Sequence, residues 1–119
     1  MNVLIVDDDK LARKGLIAVI DWEQYGLSVV GDVQNGKKAL EFLENHPVDL
    51  VFTDIDMPEM NGFTLAEKLC KTHPEIIIIF VSAYEDFVYS SFEYSPFRFL
   101  RKAHLGQELD PTLQKVINK

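Results

Sequence analysis

A chain of 119 residues, 47% hydrophobic and 26% charged, has the make-up of a single globular domain with room for one core and not two. Its 19 acids against 12 bases leave a net charge of -7, which opposes capture of DNA or an anionic membrane by this chain alone. No signal peptide opens it and no apolar run approaches the ~20 residues of a transmembrane helix; with Cys70 as the single cysteine, the expectation is a cytoplasmic protein without an internal disulfide.

In chain order, short apolar runs alternate with segments of helical period. A strand is predicted over residues 3–7 (VLIVD), running into Asp7-Asp8-Asp9, and a helix over 10–20. The segment DWEQYGL follows, and its Trp22, Tyr25 and Leu27 form an apolar patch expected to cover the base of the core, away from the acids. Next come a strand over 27–32, a helix over 36–45 and a strand over 48–54 that opens VDLVFTDIDMPEMNG. A helix over 62–72 carries Cys70, expected as a packing residue, and a strand over 76–83 (IIIIFVSA) follows. His46 and His73 each precede a proline at a helix end and are expected to be exposed. A helix over 85–94 and a strand over 97–102 (FRFLRK) precede a last helix with two candidate starts. One is Asp110 and Pro111 as N-cap and first-turn proline; the other is His104 or Leu105.

Near-continuous apolar strands separated by helices imply a parallel sheet covered on both faces. Five of each in this length fit an α/β, flavodoxin-like, doubly wound five-stranded sheet of order 2-1-3-4-5, whose ligands bind at the carboxyl edge beside strands 1 and 3. Strand 1 ends in Asp7-Asp8-Asp9 and strand 3 in Asp54, so these acids converge if the strands are neighbours. One member of the triplet reads as a helix N-cap, but a cap does not account for a second acid on the adjacent strand end. Crowded carboxylates repel unless a cation intervenes, and Mg2+ favours such oxygen ligands. Ser82 and Lys102 end the fourth and fifth strands, adding a hydroxyl and an ammonium. A metal site, a carboxylate, a hydroxyl and an ammonium on one edge are the parts needed to place a phosphoryl group on a carboxylate.

The stretches LIVDDD, FTDIDMPEMNG, VSA and FLRK give the chain a resemblance to the receiver domains of bacterial two-component response regulators along nearly its whole length. The most specific is Asp-x-x-Met-Pro-x-Met-x-Gly after an apolar strand. The resemblance implies that Asp54 is the phosphoacceptor, phosphorylated from a sensor histidine kinase, and that Asp7 and Asp8 hold Mg2+ together with Asp54 and the backbone carbonyl of Asp56. It also implies that Ser82 bonds the phosphoryl group, that Lys102 pairs with it, and that Phe99 is the aromatic switch. Phosphorylation would then remodel the surface of the fourth predicted helix, the fifth strand and the last helix, where Tyr84, Phe87, Tyr89, Phe92, Tyr94 and Phe97 lie. That surface suits a homodimer contact.

The sequence departs from the family pattern at Ala103, where a proline is usual, and in lacking the glycine-alanine lead-in to the fifth strand. YSPFRFLRKAHL is similar to receivers preceding LytTR-type DNA-binding domains, whereas DWEQYGL is similar to those joined to AraC-type outputs. The expectation is residues 1–119 as a receiver excised from a longer regulator of transcription that touches DNA only through its output domain. As a phosphoacceptor switch it is not an enzyme in the ordinary sense. Two rivals compete: a pseudo-receiver that binds without phosphorylation, kept open by Ala103, and a haloacid-dehalogenase-type phosphatase, opposed by Pro58 where threonine or valine is normal. An EF-hand-like loop from Asp54 fails because Glu59 and Leu65 stand where glycine and glutamate are required.

Overall fold

A computed structural model describes residues 1–82, 98–102 and 105–117. The helix expected over 85–94, its aromatic residues, the Lys102–Ala103 bond and His104 lie outside the described residues. The elements in chain order are β1 (Asn2–Val6), α1 (Lys10–Val19), a 3-10 turn (Trp22–Tyr25), β2 (Ser28–Val33), α2 (Gly36–Asn45), β3 (Leu50–Thr53), α3 (Gly62–Thr72), β4 (Ile77–Ser82), β5 (Arg98–Arg101) and α4 (Leu105–Ile117).

All strand pairings are parallel, in the order β2-β1-β3-β4-β5. β1 and β3 read as unbroken apolar runs because both of their faces are covered: Val3 to Val6 and Leu50 to Thr53 are all buried. β2, at one edge, alternates exposed and half-buried residues instead. One face of the sheet packs Leu4, Val6, Val51 and Phe80 against Ala39 and Leu43 of α2 and Leu65, Ala66 and Leu69 of α3. The other packs Val3, Ile5, Phe52, Ile79 and Leu100 against Leu16 of α1 and Leu113 and Val116 of α4. Each fully buried side chain of this size contributes about 1.5–3 kcal/mol of transfer free energy.

The first three helices start in the same way at the carboxyl edge of the sheet. The side chains of Asp9, Asn35 and Asn61 accept hydrogen bonds from the backbone N–H groups of Leu11, Lys38 and Thr64. Of the acidic triplet, Asp9 is therefore the cap, which leaves Asp7 and Asp8 for the cleft. At the other end of the sheet the 3-10 turn closes with Gly26 at φ 70, a left-handed conformation that glycine adopts without steric cost. Trp22 meets Phe52 edge-on at 5.5 Å between ring centroids and Leu27 is buried, so the DWEQYGL patch does cover the base of the core.

One expectation is corrected and one open choice is decided. Cys70 is exposed, because Leu65, Ala66 and Leu69 make up the buried stripe of α3 and Cys70, one residue further, is rotated about 100° off it. Asp110 and Pro111 do not begin the last helix; α4 begins at Leu105 and carries Pro111 within it. Leu105, Leu109, Leu113 and Val116 recur at helical spacing and all pack on the same core, so a start at Asp110 would forfeit half of that stripe. The Asp110 carboxylate instead accepts a 2.6 Å hydrogen bond from the Tyr25 hydroxyl, which raises the phenol's pKa. His46 is exposed and His73 partly so, each as a helix C-cap, in line with the sequence reading.

Candidate phosphoacceptor site

The strand register brings the acids together. Val6 pairs with Thr53, so the residues that follow, Asp7 and Asp54, leave adjacent strand ends side by side. The Asp54 N–H continues the ladder by donating to the Val6 carbonyl at 2.9 Å, and the Asp7 N–H donates to the Val33 carbonyl at 3.1 Å. Carboxylate oxygens of Asp7, Asp8 and Asp54 lie within 4.8 Å of one another. This is the group of potential metal-ligating side chains found among the described residues; Asp56, exposed on the loop after β3, does not contribute its carboxylate to it.

Lys102, directly after β5, reaches into the cluster. Its Nζ is 3.3 Å from Asp7 Oδ2 and 3.8 Å from Asp54 Oδ1, with Asp7 buried and Asp54 only 12% exposed as a side chain. The Asp54 carboxylate also accepts from the Ile55 N–H at 2.9 Å. Burial and the neighbouring Asp7 charge push the pKa of Asp54 up to about 6, against the opposing pull of Lys102 and the Ile55 N–H. One ammonium thus only partly offsets the acids. Three hard oxygen donors so placed suit a small divalent cation such as Mg2+ in chemistry and spacing.

The other residues of the sequence reading fall around this edge. Ser82 ends β4, whose register sets Phe80 beside Thr53, and Phe99 lies in β5 opposite Phe80. In the loop after Asp54, Glu59 takes φ 68 while the Met60 N–H bonds the Pro58 carbonyl at 2.8 Å, a tight reversal that returns the chain to β3. Gly62 completes the return: its N–H donates to the Ile55 carbonyl at 2.8 Å, and a Cβ there would collide with the Asp54 carbonyl oxygen. The glycine that ends the motif is therefore a steric requirement of bringing α3 against the end of β3.

One residue was missed by sequence reasoning. Arg13 of α1 bonds the Asp7 carbonyl at 2.6 Å and the Asp32 carboxylate at 2.8 Å. Three basic residues share the first half of α1, and periodicity alone did not show which of Lys10, Arg13 and Lys14 turns inward. A cleft with a volume of about 210 Å³ is lined here by Asp7, Asp54, Arg13 and Lys102 together with the apolar Leu16, Val19 and Leu105.

Comparison with known proteins agrees with this geometry. The family model of the response regulator receiver domain matches residues 3–114. The transcriptional regulatory protein YpdB of Escherichia coli K12 is 30% identical over 98% of this chain and 47% of its own. The positive alginate biosynthesis regulatory protein of Pseudomonas aeruginosa is 32% identical over the same shares, 98% and 47%. The solved REC domain of AraT, a response regulator from Geobacillus stearothermophilus, superposes with a TM-score of 0.84 at 32% identity, covering 98% of this chain and 92% of that one. A two component transcriptional regulator AraC from Clostridium phytofermentans gives a TM-score of 0.81 at 33% identity, covering 99% and 92%. The chain spans about a third to a half of the length of the curated relatives it matches, from 32% to 48%. A match over nearly every residue, on the fold that gathers these acids, establishes that the chain belongs to the response regulator receiver domain family.

Proposed function

We propose that this chain, on its flavodoxin-like doubly wound sheet, takes a phosphoryl group from a sensor histidine kinase onto Asp54 and passes the event to an output that controls transcription. The observation that carries the reading is the Asp54 carboxylate held within 4.8 Å of Asp7 and Asp8 and 3.8 Å from Lys102 at the open edge of the sheet. Asp7, Asp8, the Asp54 carboxylate and the Asp56 backbone carbonyl would hold Mg2+. When bound, the ion neutralises phosphoryl oxygens and so lowers the cost of bringing an anionic donor to an acidic cleft. An Asp54 oxygen attacks the phosphorus of a phosphohistidine as the P–N bond breaks, its electron pair returning to the imidazole; the product is an acyl phosphate on Asp54. Lys102 then exchanges its carboxylate contacts for a phosphoryl oxygen, and the Ser82 hydroxyl donates to another.

The switch follows from that second contact. Movement of Ser82 toward the phosphate leaves space for Phe99, and the surface of β5 and α4 shifts between two packings and favours a homodimer. The names of the relatives support transcription as the process controlled. Their greater length supports a receiver that acts through a further, output domain, which the proposal places C-terminal to it; a cytoplasmic place without contact to membrane belongs to the same proposal. The test is incubation with Mg2+ and acetyl phosphate followed by intact mass. Gain of one phosphoryl group by the wild type and by no Asp54→Asn protein is expected, with accumulation in Lys102→Ala reduced about tenfold or more. Wild-type protein that binds Mg2+ yet gains no mass would instead favour the pseudo-receiver reading.

A further inference from the structure

Lys10 and Lys14 of α1 are exposed, whereas the Arg13 side chain between them is only 11% exposed and spans the ends of two strands. Its Nη1 donates to the Asp7 carbonyl at 2.6 Å and its Nε to Asp32 Oδ2 at 2.8 Å, Asp32 being paired beside Ile5 in β2. The carbonyl it grips belongs to the peptide unit that joins Asp7 to Asp8. That unit is planar, so holding its oxygen also fixes the plane from which the two acidic residues depart. The rest of the turn is pinned as well, by the Asp7 N–H on the Val33 carbonyl at 3.1 Å and the Asp9 N–H on Asp7 Oδ1 at 2.9 Å. Asp32, at 39% side-chain exposure, adds little stability through its ion pair, but it sets the direction of the guanidinium fork.

We propose that Arg13 is a positioning residue that sets the Asp7–Asp8 peptide so that both carboxylates face Asp54 and bind a divalent cation. This rests on the reading of Asp7 and Asp8 as cation ligands. Charge alone makes the opposite forecast: a guanidinium beside an acidic cluster repels a cation, so deleting it should tighten Mg2+ binding. Positioning requires that deletion weaken it, as loss of partners that orient metal ligands commonly does by about 10–100-fold.

The experiment is a calorimetric Mg2+ titration of the full chain as wild type, Arg13→Met, Arg13→Lys and Asp8→Asn, at a temperature where urea denaturation shows each protein folded. Methionine keeps much of the buried stem, and lysine keeps the charge without the fork. The expected result is Mg2+ binding weakened about tenfold or more in Arg13→Met and by less in Arg13→Lys. Unchanged or tighter binding in Arg13→Met overturns the proposal. If that variant does not fold, wild-type affinity in Arg13→Lys overturns it. A wild type that binds no Mg2+, or an Asp8→Asn protein that binds as well as wild type, overturns the metal-site reading itself and the role of Arg13 with it.

Discussion

At the scale of single residues, Asp54 is held against its own solvation preference. Its pKa is raised from the usual carboxylate value to about 6, first by burial and then by Asp7, so the folded protein binds this proton more tightly than the unfolded chain. The stabilising effect of that proton is fully present below the unfolded value near 3.8 and is lost as pH rises through about 6. At neutral pH without divalent cations the ionised side chain is therefore a destabilising element, and a non-ionising isostere relieves it. Asp54→Asn is expected to be more stable than wild type in urea denaturation with a chelator present, by on the order of 1–3 kcal/mol at pH 8. The advantage should shrink by roughly 1 kcal/mol at pH 5. An advantage that grows on acidification would contradict the assigned cause. Asp54 is thus held in place at a cost to stability, and a bound cation would restore part of the loss.

At the scale of elements, the site depends on how helices meet strand ends. α3 begins directly against β3, and the hydrogen bond from the Gly62 N–H to the Ile55 carbonyl requires a separation that no side chain tolerates. Gly62→Ala is expected to destabilise the protein by about 1–3 kcal/mol in urea denaturation, because its methyl group would press on a backbone carbonyl rather than on a movable side chain. The displaced carbonyl is that of Asp54, so the same substitution should also weaken Mg2+ binding in a calorimetric titration. Wild-type stability in Gly62→Ala would mean that the loop can relax away from the contact. The glycine was legible in the sequence as the last position of the motif, but the atom it must avoid was not. The start of α4 was legible only as a choice, since the Asp-Pro cap signal is local and the Leu105 to Val116 stripe matters only where a core exists to receive it.

At the scale of the whole molecule, the sheet divides the interior into two cores that share only its backbone. Leu69 of α3 is buried on one side and Leu113 of α4 on the other. Replacing either by alanine is expected to cost about 2–5 kcal/mol. The double variant should cost the sum within about 0.5 kcal/mol, since the two side chains have no common packing partner. Urea denaturation of the four proteins checks this, and a larger departure from additivity would show that the sheet transmits packing strain from face to face. Such transmission bears on function, because α4 packs on the face that holds Phe52 while Asp54 leaves the same strand two residues later.

The sequence by itself determined the alternation of apolar strands and amphipathic helices, and hence the parallel α/β class, because hydrophobic periodicity is a local property of the chain. It also placed Asp7, Asp8, Asp54 and Lys102 at strand ends, since burying unpaired charge inside a strand is too costly. Tertiary structure decided what depends on register and on helix rotation. It paired Val6 with Thr53 so that the acids meet, turned Cys70 outward, and aimed Arg13 rather than its neighbouring lysines at the Asp7 carbonyl. Those outcomes rest on contacts between residues far apart in the chain, and local pattern carries no record of which distant surface a side chain will face.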